Sequence, residues 1–176
     1  MTTIVGGLRD RLITENIRIM LVDALTNLGW FDSNTQLRSM PLQVRTEPVP
    51  PDEEAKPNII AISSEDIIDT EAEMGSNLSD FTYTYAIDIY AERASTGKHL
   101  AGDVRSILQG RFPSIGRTEP HVEIYDLSMA TPMHVFTVDL ENIMSGRQRH
   151  FAKGYEKFWW TVMFDVKDEY GDEYDV

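Results

Sequence analysis

The first residues to weigh for chemistry are the four histidines, His99, His121, His134 and His150. No two are four residues apart, the helical spacing with which zinc proteases grip their metal, and there is no His-rich tract. His121-Val-Glu123 would put two potential ligands on one face of a strand, but such a pair is too common to assign a site. A nuclease holds magnesium with carboxylates, often beside a lysine. Asp139, Glu141, Glu156 and Lys157 supply those types, although 29 acidic residues in a chain of 176 make such groupings expected by accident. Gly6-Gly7 lacks the Lys-Ser/Thr that lets a P-loop reach phosphate and magnesium. Ser76 has no recognisable base partner, and there is no Gly-x-Ser-x-Gly elbow. The absence of cysteine excludes disulfides, thiolate metal sites and thiol catalysis. The expectation is a protein that is not an enzyme and uses no cofactor or metal.

The net charge of −13 repels nucleic acid and anionic membranes. It is compatible with DNA passing close by without sticking, and solubility alone would also account for it. A length of 176 residues suits one domain with one core. The opening Met1-Thr-Thr-Ile-Val-Gly-Gly lacks the pattern of a signal peptide. No apolar run approaches the ~20 residues that span a bilayer. A protein made in the cytoplasm is expected.

The elements that would position any site can be read from periodicity. Ile17, Met20, Leu21, Ala24, Leu25 and Leu28 recur at steps of three and four, which predicts a helix from Thr14, as its cap, to Leu28, stopped by Gly29. Residues 4–12 read as a preceding turn or arm. Five of the eight prolines fall in 35–57, which predicts a long loop. A short strand is expected at 58–63, then a polar stretch to Asp80. Residues 81–91 alternate and predict a strand with one buried face. Leu100, Val104, Ile107 and Leu108 predict a second helix, capped by Ser95 and ended at Phe112-Pro113. Gly97 and Gly102 inside it either allow close packing on a sheet or are merely tolerated. Strands follow at 121–127, 133–140 and 155–166, and 167–176 reads as an acidic tail. Adjacent strands without intervening helices indicate a single α+β domain over 1–176, with a mixed or mainly antiparallel sheet and both helices on one face.

Two features point to partners. The strands at 81–91 and 155–166 would each run about 35–40 Å at ~3.3 Å per residue, longer than a compact domain easily buries. Either they bend, or their ends pair with another chain. Trp159, Met163 and Tyr90 also put large side chains on the second faces of these strands, which suggests a subunit contact. The second feature is charge. Arg147, Arg149, Lys153 and Lys157 place four of sixteen basic residues in one segment, with His150 among them. Residues 141–157 read as a basic loop or hairpin arm. An acidic patch on a neighbouring copy is its natural partner; contact with DNA or with another protein is the alternative, and a plain solvated loop would need no partner. Contacts are therefore expected at Arg147, Arg149, His150, Lys153, Lys157, Trp159 and Tyr90.

Three stretches, TTIVGGLRDRLITENIRIMLVDALTNLGW (2–30), FTYTYAIDIYAERASTGKHLAGDVRSIL (81–108) and YEKFWWTVMFDV (155–166), resemble tail terminator proteins of long-tailed phages. The likeness lies in the order of elements along most of the chain, not in a short motif. It implies a small structural virion protein that forms a ring, commonly a hexamer, on the last ring of tail-tube protein. The ring ends tube growth and offers its other side to head-completion or connector proteins, and DNA later crosses the lumen. The family has no catalytic residues to carry over. The 35–57 loop and the acidic tail depart from its pattern. A head-completion or other head–tail joining protein is the alternative, and a small metal-dependent nuclease a more remote one.

Overall fold

A computed structural model describes residues 6–30, 43–46, 59–71, 79–91, 93–128, 130–148 and 158–168. The elements run α1 (Gly6–Asn27), β1 (Gln43–Arg45), β2 (Ile59–Glu71), β3 (Ser79–Ala91), α2 (Ala94–Leu108), β4 (His121–Asp126), β5 (Met133–Gln148) and β6 (Phe158–Asp168). The strands form one sheet in the order β1-β2-β3-β6-β5-β4. β1 and β2 are parallel and every other neighbouring pair is antiparallel. The fold is the expected α+β domain with a mixed sheet and two helices. No described helix is long and apolar enough to cross a membrane.

One continuous core joins both helices to one face of the sheet. Ile13, Ile17, Leu21 and Leu25 of α1 and Leu100, Val104, Ile107 and Leu108 of α2 are buried in it. The sheet contributes the alternate residues Tyr83, Tyr85, Ile87 and Ile89 from β3, and Trp160, Val162, Phe164 and Val166 from β6. Tyr85 stacks on Phe164 with ring centres 5.6 Å apart. Such a pair contributes about 0.5–1.5 kcal/mol beyond its buried area.

Helix α1 begins two turns before the expected start. Thr14 is not its cap: it lies mid-helix, and its hydroxyl donates to the Asp10 carbonyl at 2.8 Å, the back-bond that threonine makes inside helices. Residues 6–12, expected to be a turn or arm, are helical. The stop at Gly29 holds. Its φ is +75°, the Gly29 N–H bonds Thr26 O, and the Trp30 N–H bonds Leu25 O, a Schellman end.

Helix α2 is not capped by Ser95, which lies in its first turn. The capping position is Arg93, without a side-chain cap. The stop also comes before Phe112-Pro113. Gly110 turns the chain at φ +64°, and a Cβ there would lie 2.4 Å from Glu119 backbone. Pro113 opens a short 3-10 turn instead. The two internal glycines differ. A Cβ on Gly97 would sit 2.2 Å and 2.5 Å from the Trp160 ring, so α2 packs on β6 only because that atom is missing. A Cβ on Gly102 would meet nothing within 4 Å.

The 35–57 stretch is not wholly loop, because β1 lies inside it and pairs with Ile59–Ala61. Apart from Thr46, the rest of that stretch lies outside the described residues, as does the 169–176 part of the expected tail. β2 does not stop at Ser63. Its polar half continues the ladder to Glu71, opposite Ser79, past a bulge between Ser64 and Asp66. Acidic residues disfavour strands weakly, and a long neighbour offering hydrogen bonds overrides that preference. β5 likewise runs eight residues beyond Leu140, past a bulge between Glu141 and Met144.

Two buried polar side chains tie α1 to the sheet. Asn16 donates through Nδ2 to Tyr125 O (3.0 Å) and accepts from the Tyr125 N–H at 3.1 Å, beside a bulge in the β4–β5 ladder. The Tyr85 hydroxyl donates to Asp10 Oδ1 at 2.5 Å. Burial, and then this bond to the carboxylate, push the Tyr85 phenol far above its ordinary range.

Candidate interaction face

The other face of the sheet is built by the same alternation, and pairing register sets its rungs across β3, β6 and β5. They are Thr84–Asp165–Glu141, Ala86–Met163–Met144, Asp88–Thr161–Gly146 and Tyr90–Trp159–Gln148. Opposed residues on antiparallel strands share a face and touch, so four rungs make one continuous surface.

At one end Tyr90 and Trp159 stack, with ring centres 5.6 Å apart and an interplanar angle of 18°. With Ile59 and Ala61 they form a small apolar cluster separate from the main core. The indole is held in place, because Trp159 Nε1 donates to Asp88 Oδ1 at 2.8 Å. Thr161 Oγ1 donates to the same oxygen at 2.6 Å. Hydrogen bonds to a carboxylate contribute about 1.5–3 kcal/mol each when sheltered. Trp159 and Thr161 are therefore held in place within the chain.

The middle of the face is apolar and open. Met163 and Met144 stand opposite one another with 39% and 62% of their surfaces exposed. Thioether side chains adapt to irregular partner surfaces. Gly146 has no side chain, and nothing lies within 4 Å of where one would be. The far end is polar and braced across three strands. Asp165 accepts from Thr84 Oγ1 (3.0 Å) on β3 and from Asn142 Nδ2 (2.7 Å) on β5. Asn142 reaches it from the β5 bulge with φ at +51°, a conformation that asparagine tolerates better than most residues.

The expected contact residues are partly assembled here. Tyr90 and Trp159 come together in one stack, in which Tyr90 is buried and Trp159 half-buried. Arg147 belongs to the same β5–β6 hairpin, opposite Trp160 on the helix-bearing face. Its guanidinium lies 5.6 Å from the Phe158 ring centre and 5.8 Å from that of Trp160. Ser145 and Gly146 are strand, not loop, so the hairpin arm starts later than expected. Arg149, His150, Lys153 and Lys157 lie outside the described residues. Asp88, Thr161 and Asn142 were not foreseen. The alternation of 81–91 places Asp88 beside the aromatic pair, whereas no local signal marks the bulge that turns Asn142 toward Asp165.

The other residues considered for chemistry are scattered. His121 Nδ1 lies 3.2 Å from Glu119 Oε2, while Glu123 accepts from the Tyr125 hydroxyl at 2.5 Å. His134 contacts Thr137 Oγ1 at 3.2 Å. His99 lines a wide depression of about 510 Å³ with Trp30, Asp103 and Phe112, in which Trp30 Nε1 donates to Asp103 Oδ2. Asp139 and Glu141 are both exposed on β5, and Glu156 is outside the described residues. Among the described residues no three His, Asp or Glu side chains form a group that could hold a metal. No protein-family model matches the chain, and no curated protein matches it.

Proposed function

We propose that this chain is a structural virion protein whose copies form a ring, commonly of six, on the end of a phage tail tube. The ring ends tube polymerisation and presents its other side to head-completion or connector proteins, and DNA crosses its lumen in transit. The observation that carries the proposal is the sheet face that no helix covers among the described residues. Its exposed, opposed methionines, flanked by braced carboxylates and by an aromatic stack in which Tyr90 is buried, form a prearranged contact surface. Most polar groups on it are committed to strand neighbours, so it is equipped to hold a partner more than to move protons. The likeness of 2–30, 81–108 and 155–166 to tail terminators supplies the kind of partner. The charge of −13 suits a channel wall that must not retain DNA.

Electron microscopy of particles made without this protein tests the role. Overlong tails, or tails that fail to join heads, are expected. Normal tails beside filled heads that leak DNA would assign the chain to head completion instead.

A further inference from the structure

We propose that successive copies join by sheet extension, the outer edge of β2 in one copy pairing antiparallel with the outer edge of β5 in the next. β1 pairs only with Ile59–Ala61. Among the described residues, Ile62–Glu71 therefore has no strand on its outer side. β4 pairs with β5 only between Met133 and Asp139, and the Leu140 N–H closes on Pro120 O at 2.7 Å. From Glu141 to Gln148 no described strand lies outside β5. Both runs are hydrogen-bonded on their inner sides. Rows of N–H and C=O groups with no partner among the described residues recruit another strand.

The two edges match in sense, shape, length and charge. Three successive antiparallel pairings separate β2 from β5, so the two strands run in opposite directions. A neighbour in the same orientation then presents β2 antiparallel to β5. β1 covers the end of the sheet where β2 begins, which is the end where β5 finishes, and β4 covers the other end. The sheet thus has a step on each side, at opposite ends. A copy displaced along the strand direction fits one step into the other. Beyond their bulges the regular runs are Asp66–Glu71 and Met144–Gln148, six and five residues, each an ordinary strand length. The sequence of β2 carries Glu65, Asp66, Asp69 and Glu71 and no Lys or Arg. The sole charge in Asn142–Gln148 is Arg147. An acidic edge repels its own kind and accepts the strand that carries the arginine.

The contact joins two different surfaces, so it propagates from copy to copy and closes a ring if the rotation allows. Opposed residues share a face, so helices stay on one side of the extended sheet only in registers that differ by two residues. The inference deepens the ring reading and relies on it for the copy number alone.

The chain has no cysteine, which makes cross-linking clean. Ser145→Cys is combined in the full chain with one cysteine at each position from Ser64 to Thr70. Within one copy β2 and β5 are three strand spacings apart, about 14 Å at ~4.8 Å each, too far for a disulfide. Any bond therefore joins copies. On mild oxidation of the assembled protein, a ladder of covalent multimers is expected at the one position that stands opposite Ser145 on the same face of the sheet, and none at the positions on either side of it. Hydrogen exchange of the unmodified chain provides a second readout, with Ile62–Glu71 and Glu141–Gln148 gaining protection on assembly. An assembled ring with neither cross-links nor protection at these edges overturns sheet extension and leaves the ring reading standing. A chain that stays monomeric at high concentration even with tail-tube protein overturns both.

Discussion

Gly97 and Gly102 look alike in sequence, and the structure assigns them opposite consequences. Gly97→Ala forces a methyl into the buried Trp160 ring, and overpacking of this kind costs about 1–3 kcal/mol. Gly102→Ala meets open space and removes a helix-interior glycine, which stabilises by up to ~1 kcal/mol. Denaturant midpoints of the two variants should move in opposite directions. Asp88 gives a second prediction at this scale. Asp88→Ala removes the acceptor shared by Trp159 and Thr161. It should cost about 1–3 kcal/mol and change Trp159 emission, while far-ultraviolet circular dichroism stays the same. Unaltered emission would mean that the carboxylate does not hold the indole. Asp88 and Trp159 could be placed on one face from alternation alone. Their hydrogen bond could not, because it depends on which residues of β3 and β6 stand opposite each other.

At the scale of elements, strongly periodic segments were legible and polar ones were not. The stripe in α1 and the alternation in 81–91 and 155–166 reflect one buried face each, which a sequence displays directly. The outer halves of β2 and β5 have no such signature, because a neighbouring strand's hydrogen bonds hold them in place. Caps misled for a related reason. Thr14 and Ser95 are of cap-forming type, but the helix starts were set elsewhere, while Gly29, needing a positive φ, marked the end of α1 correctly.

The Tyr85–Asp10 bond, which ties α1 to β3, has a pH signature. Its phenol is raised above the value it has in the unfolded chain, about 10. The neutral form is favoured by folding, so this stabilisation is complete below pH ~10 and is lost as pH rises beyond it. Denaturation midpoints should therefore fall more steeply above pH ~10 for the wild type than for Tyr85→Phe. Parallel profiles would show that the hydroxyl makes no such contribution.

For the whole molecule, the fold class and the single core followed from the order of elements, and the site did so only in part. Arg147 and Trp159 are near in sequence but point to opposite faces of the sheet, so Arg147 and the aromatic stack belong to two surfaces. Replacing both Arg147 and Arg149 with Glu should prevent or weaken assembly while leaving the thermal unfolding of the domain nearly unchanged, since Arg147 is exposed and exposed charges contribute little to stability. Assembly at the wild-type concentration would leave the basic cluster without a part in assembly.

The most direct test of the central claim is the mass of the particle in solution, measured by light scattering or sedimentation with and without tail-tube protein. A discrete closed species of about six copies is expected, formed alone at high concentration or on addition of tube. A strict monomer under both conditions would contradict it.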